Sequence, residues 1–228
     1  MSEEQGVTLY SAVERIVESP DSIIERVDAF ELAVEDDFPE AEDGEIIERT
    51  ADRIIEFYAN NTMIAGGLSS APALIPGVGT FLAVVPGNLA DMTLCLKYEV
   101  EMALALSALY GFNIHDDHER SLAFLIASVT TYELLDNERG ILKDQARAVG
   151  DIARVPTQAI WNYTPRQVGK SLARVFVGLA LKSVNKSLFK ALPVIGVGVS
   201  AVGNRLLTSR VGERARDALR YRVASEYA

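Results

Sequence analysis

The residue types best suited to chemistry sit together at His115-Asp116-Asp117-His118-Glu119, which contains both histidines of the chain. Imidazoles beside carboxylates can hold a metal ion or move a proton. A stable zinc site, however, wants a second, separated ligand pair, and none follows. The same residues fit a local purpose. Asp116 and Glu119 have the spacing of a helix capping box, and Leu122, Phe124, Leu125 and Ile126 start an apolar run directly after it. Capping is therefore expected here, and no metal site is assigned. The acidic segment 35–45, EDDFPEAEDGE, lacks the ordered ligand spacing of a calcium loop and reads as a solvated linker.

Serine, histidine and aspartate are all present, but no spacing singles out a catalytic set. A nucleophile elbow, phosphate loop, dinucleotide fingerprint and zinc-protease signature are all missing. No catalytic residue and no cofactor are assigned, and the balance is against an enzyme. The polar candidates for touching a ligand or partner are Asp91, Asn88, Tyr110 and Asn204. Asp91 carries the most weight, because it follows directly on a long apolar run at a helix start. A carboxylate there is favoured by the helix dipole. It reads either as a paired helix-start charge or as a polar group at the mouth of an apolar cleft.

The elements that must position these residues are organised around 62–111. No charged residue occurs between Glu56 and Asp91, yet this run contains Pro72, Pro76 and Pro86 and several glycines. Pro76-Gly77 forces a turn between two short apolar helices. Gly79, Ala83 and Gly87 line one side of such a helix and permit close backbone approach. Pro86-Gly87 interrupts the run, Asn88 is a candidate cap, and a helix from Leu89 to Tyr110 follows, ended by Gly111. Its apolar stripe is Leu89, Met92, Leu96, Val100, Ala103 and Leu106. Cys95, the single cysteine, lies on that helix and reads as a small core residue.

Before this stretch, amphipathic helices are expected over about 8–18, from a cap at Asp21 onward, and over 45–60, where Ile46, Ile47, Ala51, Ile54, Ile55 and Tyr58 form a buried stripe. After it, a helix follows the Asp116 cap to about Leu135, then a weaker one over 140–153. Thr164-Pro165-Arg166-Gln167 starts another that runs to about Leu192. The chain then repeats the central pattern. Leu192-Pro193-Val194-Ile195-Gly196 resembles Leu74-Ile75-Pro76-Gly77, and Gly196, Ser200 and Asn204 share the spacing of Gly79, Ala83 and Gly87. Strand alternation is absent. The expected fold is all-α: a compact bundle in which the two Gly/Pro-interrupted apolar hairpins pack together.

Hydrophobic residues make up 49% and charged residues 24% of the 228, a globular composition at its apolar end. The net charge of −10 hides an asymmetry: 6 Lys/Arg against 27 Asp/Glu up to Glu138, then 16 against 5. Either the two halves pack and neutralise each other, or the basic half meets anionic lipid headgroups. Lys182, Lys186, Lys190, Arg205 and Arg210 are the candidate membrane-surface cations. The last helix is expected to carry an exposed basic run, Arg205 to Arg222. Nucleic acid is not expected, since the basic residues lie among Val, Leu and Ala with no aromatic stacking series. The segment MSEEQGVTLY has no apolar core of a secretory signal, so the expected location is the cytoplasm, at the inner face of the cytoplasmic membrane if attached.

Several of these features, in order, resemble the EcsC family: Ala65-Gly66-Gly67, Pro76-Gly77, Asp91, a long helix ending Ala108-Leu109-Tyr110-Gly111, then Pro193-Val194-Ile195-Gly196 and Val211-Gly212-Glu213-Arg214-Ala215-Arg216. The resemblance covers roughly 45–222. It divides the chain into an acidic helical extension and linker, 1–44, and an EcsC-like helical domain, 45–228. The family is named for a bacterial protein whose gene neighbours encode an ABC transporter. The resemblance leaves the molecular activity unassigned, supplies no catalytic residues, and implies at most a role accessory to a membrane transport system. The charge-free run and the basic half together point to a non-enzymatic membrane-associated or lipid-contacting helical protein. The residues themselves leave a second reading, a bundle that binds or acts on a small hydrophobic ligand in a buried cleft. A third is a homo-oligomer assembled through the small-residue faces.

Overall fold

The structure is a computed structural model that describes residues 2–67, 87–137, 160, 162–184 and 196–226. Among these residues there are helices and no strand: α1 (Ser2–Ile16), α2 (Pro20–Asp37), α3 (Asp43–Gly67), α4 (Gly87–Leu109), α5 (Asp117–Asn137), α6 (Pro165–Val184) and α7 (Gly196–Glu226). The all-α expectation holds. The Gly/Pro-interrupted hairpins and their packing fall on 68–86 and 185–195, outside the described residues, as does the helix expected over 140–153.

Local chemistry sets most helix ends. Pro20 opens α2, where its missing N–H costs nothing, and the Ser19 hydroxyl accepts from the Ser22 N–H at 3.3 Å. Ser19, not Asp21, is thus the cap. At α5, Asp116 Oδ1 accepts from the His118 and Glu119 N–H groups at 2.8 and 3.1 Å. The Glu119 carboxylate does not return to complete the box; it binds Arg222 instead. At α6, the Thr164 N–H donates to Gln167 Oε1 at 2.8 Å. The end of α4 is a Schellman turn: Gly111 has φ +85°, the Gly111 N–H reaches Ala108 O and the Phe112 N–H reaches Ser107 O, both at 2.9 Å.

The centre of the molecule is α4, which packs against every other described helix. Its sequence suggests one apolar stripe, but Leu94, Cys95, Leu96, Val100 and the whole run Met102–Leu106 are buried. A helix apolar on all sides belongs inside a bundle. Leu9, Ala12 and Val13 of α1 and Ile23 and Val27 of α2 join the same hydrophobic cluster as α3 to α7.

Cross-helix pairs fix the directions. Arg220 to Glu48, Arg216 to Asp52 and Arg205 to Asn60 make α7 antiparallel to α3. Thr208 beside Glu99, and Arg220 meeting the same Glu48 as Tyr110, make α7 parallel to α4. Glu119 to Arg222 and Thr131 to Glu99 make α5 antiparallel to both. The C-terminal ends of α3 and α5 therefore share one end of the bundle with the N-terminal ends of α4 and α7. No helix among the described residues is long and apolar enough to cross a membrane.

Candidate functional site

The feature of α4 least explained by packing alone is its charge. Lys97, Glu99 and Glu101 are all buried. At 100° per residue, Lys97 and Glu101 share a face while Glu99 points to roughly the opposite one. A ring of helices around α4 buries both faces.

On one side Lys97 Nζ donates to both oxygens of Glu101, at 2.7 and 2.8 Å, and lies 4.5 Å from the Tyr98 ring centre. Glu101 Oε1 also accepts the Glu18 N–H at 2.9 Å, tying the α1–α2 connection to the core helix. Glu18 binds Arg26 at 2.7 Å, and Arg26 donates to the Tyr58 hydroxyl at 3.0 Å. Burial pushes the Glu101 carboxyl above the usual range, and Lys97 opposes that shift. This side is an ion-pair network that joins α1, α2, α3 and α4.

The other side has a different composition. Glu99 Oε2 lies 2.5 Å from Thr131 Oγ1 of α5, while Oε1 lies 3.4 Å from Cys95 Sγ and 3.4 Å from Thr208 Oγ1 of α7. Its partners are two hydroxyls and a thiol. Burial pushes the carboxyl up to about 7, against the lowering effect of the Thr131, Cys95 and Thr208 hydrogen bonds. On α5 the buried Ser128 and Thr130 hydroxyls have no partner among the described residues. The chemistry this arrangement offers is uptake and release of a proton inside a three-helix seam.

Sequence reasoning passed over Glu99. A signal was present: three charges fall within five residues of a helix with apolar residues on all faces, so no single solvent-facing strip can take them all.

The residues singled out from sequence are spread along the bundle. The helix begins at Gly87, so Asn88 lies inside its first turn rather than capping it, and Asp91 lies just beyond that turn. Tyr110 is at the opposite end of α4, about 28 Å away at the helical rise. There its hydroxyl donates to Glu48 at 3.3 Å, beside Arg220. Burial raises the Tyr110 phenol above its ordinary value. Asn204 is half-buried on α7, next to Arg205. His115 is exposed, 3.5 Å from Asp21. No group of metal-binding side chains occurs among the described residues.

The basic candidates divide. Arg205 is engaged within the protein, donating to Asn60 at 2.9 Å and lying 4.0 Å from Glu56. Arg210 is exposed on α7. Lys182 lies on α6 with its side chain outside what is described, and Lys186 and Lys190 are outside the described residues. The expected exposed run on α7 is instead largely a paired one. Arg214 binds Glu133, Arg216 binds Asp52 and Glu213, Arg220 binds Glu48, and Arg222 holds Glu119 through two contacts of 2.7 Å while covering the Phe112 ring. The reason is topological: α7 lies between α3 and α5, which carry the acidic partners.

No protein-family model matches the chain, and no solved structure does. Among curated proteins it is similar to Protein EcsC of Bacillus subtilis (strain 168), with 24% identity over 156 residues. The matched region is 68% of this chain and 59% of the length of that protein. The similarity supports the assignment of this chain to the EcsC family that its ordered motifs suggest.

Proposed function

We propose that this chain is a non-enzymatic, peripheral membrane protein that meets an anionic lipid surface with one end of its helical bundle. One observation carries the reading. Asn60, near the start of the charge-free sequence run 57–90, accepts a hydrogen bond from Arg205, which directly follows a second charge-free sequence run, 191–204. Apolar sequence of that length, interrupted by Gly and Pro, suits shallow contact with lipid. Lys182, Lys186 and Lys190 adjoin the second run in sequence and supply charge for anionic headgroups. Arg205 acts differently in this reading: it ties α7 to α3 beneath the contact surface.

The test is co-sedimentation of the full-length protein with neutral and anionic vesicles at low and high salt. Pelleting with anionic vesicles alone, reversed by salt and weakened in a Lys182→Glu/Lys186→Glu/Lys190→Glu variant, is the expected result. Protein that stays in the supernatant with anionic vesicles at low salt would remove the reading.

A further inference from the structure

We propose that Glu99 is a buried proton-binding site whose neutral acid form, donating from Oε2 to Thr131, latches α5 and α7 onto α4, and that loss of this proton loosens the seam. This goes beyond the lipid reading and does not depend on it.

The argument starts from hydrogen counting. A threonine hydroxyl has one hydrogen and can accept others. Thr131 Oγ1 lies 2.5 Å from Glu99 Oε2 and 2.8 Å from the Ala127 carbonyl, and both of these are acceptors when Glu99 is ionised. One hydrogen cannot serve both. If Glu99 carries the proton on Oε2, it donates to Thr131, and Thr131 donates to Ala127. Oε1 then remains free to accept from the Thr208 hydroxyl and the Cys95 thiol, the groups placed against it among the described residues. The neutral form satisfies every atom of the cluster. The ionised form leaves a carboxylate among two hydroxyls and a thiol, with 0% exposure to solvent.

Charged groups on the surrounding helices are turned elsewhere. On α4, Lys97 and Glu101 pair with each other on the far side. On α5 and α7, Glu133 pairs with Arg214 and Glu119 with Arg222, and Arg210 is exposed. On α3, Glu48, Asp52 and Glu56 face Arg220, Arg216 and Arg205 of α7. Glu18 and Arg26, before and within α2, bind each other on the Glu101 side. The α1 acid Glu14 and base Arg15, and Arg166, Lys170 and Arg174 of α6, are exposed. Among the described residues, Cys95 is the one other titratable group against Glu99.

The sign follows. The native carboxyl, pushed up to about 7 by burial, holds its proton more tightly than the unfolded chain, whose carboxyl keeps the ordinary value of 4.5. The stability that Glu99 contributes is therefore complete at the acid end, falls as pH rises from 4.5 to about 7, and is level above that. The corresponding full change in the opening equilibrium is roughly three-hundredfold.

Two measurements on the full-length protein test this. The first is infrared spectroscopy of the protonated-carboxyl carbonyl band at about pH 6, where ordinary carboxylates are ionised. The band is expected in the wild type and in Glu101→Gln, and absent from Glu99→Gln. Its absence from the wild type, or its loss in Glu101→Gln protein that keeps the wild-type circular dichroism spectrum, overturns the assignment, and neither observation needs the Glu99 variant to fold. The second is thiol labelling of Cys95, the single cysteine, across about pH 5 to 8. The wild-type rate is expected to climb more steeply than that of Glu99→Gln, by up to roughly a hundredfold. Equal slopes would eliminate the latch.

Discussion

Glu101 accepts two hydrogen bonds from Lys97 and one from the Glu18 backbone, so the carboxylate enters the core with its oxygens occupied. The two side chains are 1% and 7% exposed, which places the pair where an unmatched charge is expensive. Glu101→Ala leaves the Lys97 ammonium uncompensated and the Glu18 N–H without its acceptor. A loss of about 3–5 kcal/mol is expected, measured by urea unfolding at neutral pH. The double variant Lys97→Met/Glu101→Leu is expected to recover most of that loss, because apolar side chains of similar size replace the pair. Glu99 differs at this scale: its partners are hydroxyls and a thiol, so the group escapes the same cost by keeping its proton.

At the scale of elements, one close contact among the described helices is where α7 crosses α3 and α4. A Cβ at Gly212 would lie 2.8 Å from both an Ile55 side-chain carbon and the Met102 sulfur. Glycine leaves room there for the Ile55 and Met102 side chains, and any larger residue must displace them. Gly212→Val is expected to cost about 1–3 kcal/mol or more, read as a lowered thermal midpoint by circular dichroism. Gly203→Ala on the same helix has open space around it and is expected to be neutral or mildly stabilising. The arginine ties along α7 matter less for stability. The Arg220–Glu48 pair has side-chain exposures of 44% and 38%, and pairs of that kind contribute little individually. Their collective effect is to set the direction and register of α7 against α3 and α5.

At the scale of the whole molecule, the acidic first part and the basic last part are folded against each other. Glu48, Asp52, Glu119 and Glu133 all meet arginines of α7. Much of the asymmetry that suggested a basic face is therefore consumed internally, while Arg166, Lys170 and Arg174 of α6 stay exposed. The acidic N-terminal part is also structurally engaged: α1 covers α6 and α4, α2 covers α3 and α4, and Glu18 reaches Glu101. A chain beginning at residue 45 would expose Lys97, Glu101 and the apolar surface under Leu9, Val13, Ile23 and Val27. It is expected to lose cooperative thermal unfolding or to aggregate, as seen by circular dichroism and size-exclusion chromatography. A truncated chain with an unchanged melting curve would show that α1 and α2 are dispensable for the bundle.

The sequence by itself determined that the described elements are helices and roughly where most of them lie, although α3 runs on to Gly67, beyond the expected 60. Spacing of apolar residues placed the helices, and short-range chemistry placed Asp116, Thr164-Pro165 and Gly111 at their ends, because capping depends on neighbours within a turn. The order of Gly/Pro motifs also sufficed for the family resemblance. Tertiary structure alone decided what each face meets. Periodicity puts Glu99 and Glu101 on opposite sides of α4, but whether those sides face water or other helices depends on the ring of chain around them. For the same reason the arginines of α7 read as a solvent-facing basic run until α3 and α5, far away in sequence, supply their carboxylates. Asp91 stood out because it borders a charge-free run, a contrast visible along the chain. Glu99 lies within an ordinary-looking helix, and its importance comes from Thr131 and Thr208, which only folding brings to it.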